Sequence, residues 1–219
     1  MKTKSKTPAK TRSLPVPANW RNEVEKILIS EKQLAQRVSE LSQQIERDFQ
    51  GRDLVVVSLL NGTVLFVADL IRRLSLPLRL DFIGVSSYGS GTESGNLVFT
   101  KELRLDVKGR DVLLVDDILD TGRTMRKVTA MIRALKPRQI KICVLLDKKA
   151  RRVEKVTPDY VGFEIPDSFV VGYGLDFAEK YRNLPFVGVL HPHVYEKILS
   201  TPPKPAAKPR AGAKTIASK

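Results

Sequence analysis

The chain has 219 residues, 42% of them hydrophobic, and a formal net charge of +14. That length and composition suffice for one core of ordinary domain size, and no stretch approaches the roughly 18 apolar residues that a membrane-spanning helix needs. The lone cysteine, Cys143, excludes an internal disulfide; it sits in an apolar run as a small buried hydrophobe, and a reducing, cytoplasmic setting is expected.

The charge is unevenly placed. Residues 1–20 hold five basic side chains and no acid, as do residues 201–219, which leaves only +4 for residues 21–200. Both ends are rich in Lys, Pro, Ala, Ser and Thr and cannot bury enough surface to offset their ordering entropy. They are expected to be a disordered basic arm (1–20) and a disordered basic tail (201–219) around one folded domain (21–200). Nucleic-acid binding, if any, is expected through these tails only.

Along the folded part, Val24–Ile29 reads as a short strand or extended lead-in. Ser30 and Gln33 then have capping-box spacing. Leu34, Val38, Leu41, Ile45 and Phe49 follow on one face of an amphipathic helix that Gly51 can end. Leu54–Leu60 is a continuous apolar run, as in a strand buried on both faces. Val64–Leu74 has helical periodicity, Leu78–Tyr88 reads as a strand, Gly89–Asn96 as a Gly/Ser-rich loop, and Leu97–Leu103 as another strand. A short buried strand is expected at Asp111–Val115, a helix at 123–135 stopped by Pro137, and a buried strand at Ile140–Leu146. Short strands near Tyr160–Phe163, Phe169–Val171 and Phe186–Leu190 complete the pattern. Strand–helix–strand alternation of this kind implies an α/β fold with a mostly parallel sheet.

The most informative stretch runs from Val112 to Thr124. An apolar strand leads into two acids, Asp116 and Asp117, and a turn holding Asp120, Thr121, Gly122, Arg123 and Thr124 opens a helix. Open α/β sheets bind ligands at the carboxyl ends of their strands, and a helix N-terminus suits a phosphate. Gly122 allows close backbone approach, Thr121 and Thr124 supply hydroxyls, and the two acids suit a ribose diol or a bound cation. The chain contains neither a G-x-x-x-x-G-K-[ST] loop nor a G-x-G-x-x-G loop, which disfavours nucleotide binding of those kinds.

This segment resembles the signature that binds phosphoribosyl pyrophosphate (PRPP) in type I phosphoribosyltransferases. The resemblance spans about Val24 to Leu199 and is closest to bacterial members of the hypoxanthine-guanine branch. It implies the fold of that family: a mostly parallel twisted sheet flanked by helices, with a small hood subdomain. It also implies transfer of the 5-phosphoribosyl group from PRPP to N9 of a 6-oxopurine base, with Mg²⁺ as cofactor, in a homodimer or homotetramer. Asp120 matches the aspartate placed near purine N7 as general base or proton relay. Leu59–Thr63 resembles the loop that contacts pyrophosphate, through Asn61 and Gly62, and either Leu60–Asn61 or Asn61–Gly62 is expected to be a cis peptide bond. Asn61 stands where a basic residue is common. Ser87 and Tyr88, with the Gly/Ser-rich residues after them, resemble the lid.

The same resemblance assigns base recognition to Lys148, whose ammonium offers only donors and suits an oxo group, to Phe169 as a stacking ring, and to the backbone of Val170. Asp176 matches an acid that holds Mg²⁺ together with Asp116 and Asp117, and Arg182 an arginine that binds pyrophosphate. Taken singly, Lys148 in its basic run reads as a solvated face, Phe169 as core, and Asp176 and Arg182 as surface charges. Their joint occurrence, in order and at family spacing, reverses those readings. Two alternatives stay open: a PRPP-sensing regulator that binds nucleic acid on the same fold, and an enzyme specific for xanthine.

Overall fold

The computed structural model describes residues 15–87 and 97–199. The chain begins with β1 (Val24–Ile29) and α1 (Glu31–Phe49). The Ser30 hydroxyl accepts the Gln33 N–H and the Gln33 side chain accepts the Ser30 N–H, so the capping box forms as the spacing predicts. Next come β2 (Leu54–Leu60), α2 (Val64–Ile71), β3 (Arg79–Ser87) and β4 (Leu97–Lys101). Then follow β5 (Asp111–Leu119), α3 (Arg123–Ala134), β6 (Gln139–Asp147) and β7 (Tyr160–Glu164). β8 (Val170–Val171), β9 (Val187–Leu190) and α4 (Pro192–Leu199) end the described part. No helix of the described residues is long and apolar enough to cross a membrane.

The main sheet has strand order β4-β3-β2-β5-β6-β7 and is parallel except for the edge pair β3–β4. From β2 the chain builds outward through β3 to β4, then returns to the other side of β2 and builds outward through β5 to β7. The direction of winding reverses between β2 and β5, and a crevice at such a reversal is where ligands bind in open α/β sheets. Alternate side chains of the central strands serve two cores. Leu54 and Val56 of β2, with Leu113 and Val115 of β5, pack on α1 and α2. Val55, Val57, Val112 and Leu114 pack on α3, against Met125, Val128 and Ile132. Burial of both faces is why β2 reads as an unbroken apolar run. Cys143 lies fully buried in the first of these cores.

A second, antiparallel sheet of order β1-β9-β8 forms the hood. Its inner side chains, Ile29, Val170, Val187 and Val189, join the core beneath α1. Its outer ones, Val24, Val171 and Leu190, pack with Phe177, Leu184 and Phe186. Residues 15–20, inside the expected arm, are packed on this hood: Val16 and Trp20 join its outer cluster, and Trp20 meets Tyr181 edge to face at 6.0 Å. Residues 1–14 and 200–219, which hold the rest of the arm and the tail, lie outside the described residues.

Three expectations need correction. β5 does not end at Val115 but continues through both acids to Leu119, because it stays paired to β6 as far as Leu119↔Asp147. α2 stops at Ile71, and Arg73 and Leu74 bond three residues back in a tightened last turn. α4 was not anticipated; it starts at Pro192, where a missing N–H costs nothing.

Candidate active site

The carboxyl ends of β2 and β5 and the N-terminus of α3 enclose a cavity of about 290 Å³. Its walls include Gly62, Asp116, Asp117, Asp120, Thr121, Gly122 and Thr124. Gly122 offers α3 no side-chain cap and its first turn holds no acid; apart from a long bond from the Arg123 N–H to the Thr121 hydroxyl at 3.4 Å, its leading N–H groups face an approaching ligand without an internal competitor. Gly122 precedes the helix with φ +84°. A side chain there would be strained and would also press on Arg152 and Glu154 at 3.1–3.3 Å, so the loop requires glycine.

A strap on the far side holds this loop in place. Arg152 donates to the carbonyls of Asp120 at 2.9 Å, Leu119 at 3.0 Å and Val156 at 2.9 Å, and pairs with the buried carboxylate of Asp147. The N–H groups of Val153 and Glu154 both donate to the Thr121 carbonyl, at 3.0 and 3.1 Å. Sequence reading missed Arg152 and Asp147, since an arginine in the run Lys148, Lys149, Arg151, Arg152 looks like a solvated one. The only available signal was Asp147, an acid ending an apolar strand five residues before a possible partner.

Asp116 and Asp117 stand side by side. Burial, then the negative charge of Asp117 and a shared hydrogen bond, push the Asp116 carboxyl well above the usual carboxylate range. Burial also raises Asp117, against hydrogen bonds and the positive charge of Arg182, which act the other way. Gly62 packs directly on Asp117: a Cβ at Gly62 would lie 1.6 Å from Asp117 Oδ2. Behind it, Gly174 packs on the Gly62 carbonyl, where a Cβ would lie 2.0 Å from the oxygen. The Leu60–Asn61 bond is the cis one, not Asn61–Gly62. The Asn61 and Arg123 side chains are exposed and do not line the cavity.

A second cavity, about 240 Å³, adjoins the first and shares Asp117, Ile118 and Asp120 with it. Its other walls include Lys148, Arg151, Phe169, Val170 and Asp176. The basic run is thus divided. Lys148 is only 6% exposed, its N–H donates to the Leu119 carbonyl and its ammonium pairs with Asp167 at 3.1 Å. Lys149 lies outside, on Glu164. Arg151 approaches Asp120 Oδ2 at 3.5 Å, while Asp120 Oδ1 is buried with no hydrogen-bond partner among the described residues. A buried acceptor at the seam between two cavities is one that a donor from water or a ligand would complete.

Phe169 is stacked on Tyr195 of α4 at 4.8 Å and meets Phe177 edge to face at 5.2 Å. Tyr195 was not anticipated, because α4 itself was not. Asp176 holds Arg182 at 2.9 Å and accepts the Glu179 N–H, and Arg182 also donates to the Gly174 carbonyl. Asp116, Asp117 and Asp176 do not converge on one point: among the described residues no group of three or more His, Cys, Asp or Glu side chains forms a cation cage. Ser87 closes β3, whose Val85 touches the first cavity, and Tyr88 lies outside the described residues.

Residues 25–178 match the family model of the phosphoribosyl transferase domain. The hypoxanthine-guanine phosphoribosyltransferase of Bacillus subtilis is 45% identical over 177 residues, 80% of this chain and 98% of that protein. The bifunctional protein TilS/HprT of Listeria monocytogenes is 43% identical over 85% of this chain, which spans 29% of that longer protein's length. Among solved structures, a hypoxanthine phosphoribosyltransferase from Staphylococcus aureus superposes with a TM-score of 0.78 at 42% identity, covering 83% of this chain and 99% of that one. A pocket pair at the sheet's switch point, a Thr/Gly loop opening a helix, and these likenesses agree: the chain belongs to the phosphoribosyltransferase family, in its hypoxanthine-guanine branch.

Proposed function

We propose that this chain transfers the 5-phosphoribosyl group of PRPP to N9 of hypoxanthine or guanine, giving IMP or GMP and pyrophosphate. The observation that carries this reading is the pair of cavities that share Asp117, Ile118 and Asp120. One is built for a phosphate and a diol, the other for a flat base with an oxo group, and the orphaned Asp120 oxygen lies where they meet.

In this reading the 5-phosphate takes the N–H groups of Thr121–Thr124 and the threonine hydroxyls, and Asp116 and Asp117 face the ribose hydroxyls. The Gly62 backbone and Arg182 meet the pyrophosphate, with Asn61 beside them. The purine enters the second cavity with Lys148 at its O6, Phe169 against its face and the Val170 backbone at its edge. Tyr195 stiffens Phe169 from behind. The bond from ribose C1 to pyrophosphate breaks, with the electron pair leaving on the pyrophosphate oxygen. The lone pair of N9 forms the new bond to C1, and the proton released by the purine is taken at N7 by Asp120 Oδ1. The segment after Ser87 would exclude water from the cation-like carbon.

A magnesium ion fits these residues in one particular way. Without a cage of protein ligands it would be held by Asp117 and Asp176, which line the same cavity, and by substrate oxygens, the usual manner for this ion. The raised carboxyls of Asp116 and Asp117 suit the arrival of positive charge. When bound, the ion would neutralise the leaving pyrophosphate. A cytoplasmic setting accords with a reduced, buried Cys143.

The test is PRPP-dependent nucleotide formation with Mg²⁺, offering hypoxanthine, guanine, xanthine and adenine in parallel. Turnover of hypoxanthine or guanine with adenine inert is the expected result. Turnover of xanthine alone would move the assignment to the xanthine enzyme. A folded protein that binds PRPP but turns over no purine would overturn the enzyme reading in favour of a regulator.

A further inference from the structure

Behind the phosphate loop lies a third cavity, of about 650 Å³, which the reaction described above does not use. Its volume falls within the usual range for small-molecule sites. One wall is the outer side of α3, with Arg126, Thr129 and Arg133, and the other is the strap, residues 153–157. Three cations, Arg126, Arg133 and Lys155, face one acid, Glu154. Arg126 is paired to Glu154 at 2.5 Å, whereas Arg133 and Lys155 have no ion pair among the described residues. The floor holds Ile142 and Val156, and Val153 stands 61% exposed at the rim.

Thr129 supplies an independent sign. A helical threonine ordinarily satisfies its hydroxyl on the carbonyl four residues back. The Thr129 hydroxyl is buried and has no partner among the described residues, although it lines this cavity. Turned toward the cavity, the hydroxyl would donate to an anion's oxygen, and the apolar floor and rim suit a body larger than a free ion.

We infer that this cavity is a second ligand site, for a phosphomonoester of nucleotide size. Its phosphate would meet Arg126, Arg133 and Lys155, its ester body would lie on Val153 and Val156, and Thr129 would donate to one of its oxygens. The site sits one hydrogen bond from the phosphate loop, since Glu154, the residue whose N–H holds the Thr121 carbonyl, is the partner that Arg126 must release.

The inference is independent of the reaction assigned above, and the experiment separates the two. Equilibrium dialysis with labelled IMP, without pyrophosphate, counts sites on the full chain and on the double variant Arg133→Gln, Lys155→Gln. Both side chains are exposed, so the variant should keep the wild-type melting temperature. Losing two charged contacts should weaken this site by about tenfold or more. Two sites in the wild type and one in the variant support both readings. One site in the wild type and none in the variant supports this site and removes the phosphate loop as a nucleotide site. The same number of sites in both proteins overturns the inference. Thr129→Val, which conserves volume, serves as a second probe: weaker binding at the second site supports the inference, and unchanged binding overturns the role given to this hydroxyl.

Discussion

The two cavities that share Asp120 are made in different ways. The phosphate side comes mostly from one contiguous stretch, Asp116–Thr124, at the end of a strand in the main sheet. The base side is collected from the end of β6, the turn after it, β8 and the loop that follows, with α4 supporting Phe169. A contiguous loop needs little more than a rigid strand, a helix to open and one strap beneath it. A collected pocket needs the hood to dock, because Lys148 follows β6 of the main sheet and Phe169 stands at the hood's entrance. The phosphate side should therefore respond to changes in a few local residues, and the base side to changes in docking.

The largest effect is expected at the seam. Asp120→Asn should lower kcat by about 10²–10⁴, the usual worth of a positioned acid–base group, with an unchanged circular dichroism spectrum. Undiminished turnover would remove Asp120 from the chemistry. Next comes the strap: Arg152→Ala leaves Asp147, 3% exposed, without its partner, frees the carbonyls of Asp120 and Val156, and takes from the Leu119 carbonyl one of its two donors. Urea unfolding should show a loss of about 3–5 kcal/mol, and the KM for PRPP should rise more than that for the purine. An equal rise in both would erase the distinction between the two sides.

Lys148→Ala probes the base side. Losing a charged donor should cost about 1.5–3 kcal/mol in kcat/KM for hypoxanthine, read by steady-state kinetics, with PRPP binding preserved. Equal loss for PRPP binding would show Lys148 to be structural. The smallest effect is on stability, at Asp116. A carboxyl whose pKa is raised by folding stabilises the protein below the usual carboxylate range, and that contribution is lost as pH rises through the folded value. Asp116→Asn should therefore melt at least about 2 °C above the wild type at pH 7, with the gap narrowing toward pH 4. A gap independent of pH would mean that Asp116 is not raised.

Much of the loop half was legible because its meaning is local. The capping box at Ser30 and Gln33, the apolar run of β2 and the order Asp116, Asp117, Asp120, Thr121, Gly122 are patterns of neighbours, and neighbours in sequence stay neighbours in space. β5 shows the limit even there. Hydrophobicity falls at Asp116, so the pattern ends the strand there, yet pairing with β6 carries it on to Leu119. The base half was legible only by resemblance, since Lys148 and Phe169 taken alone read as a solvated cation and a core ring.

The sequence by itself determined the alternation of strands and helices, the Thr/Gly turn that opens α3 and the family, because these rest on periodicity, backbone freedom and local donors. Only the tertiary structure decided that Lys148 is buried while Lys149 is not, that Arg152 clamps the loop, and that Tyr195 backs Phe169. Each of those depends on which segments meet across the fold, and burial, unlike spacing, is a property of the partners a residue finds there.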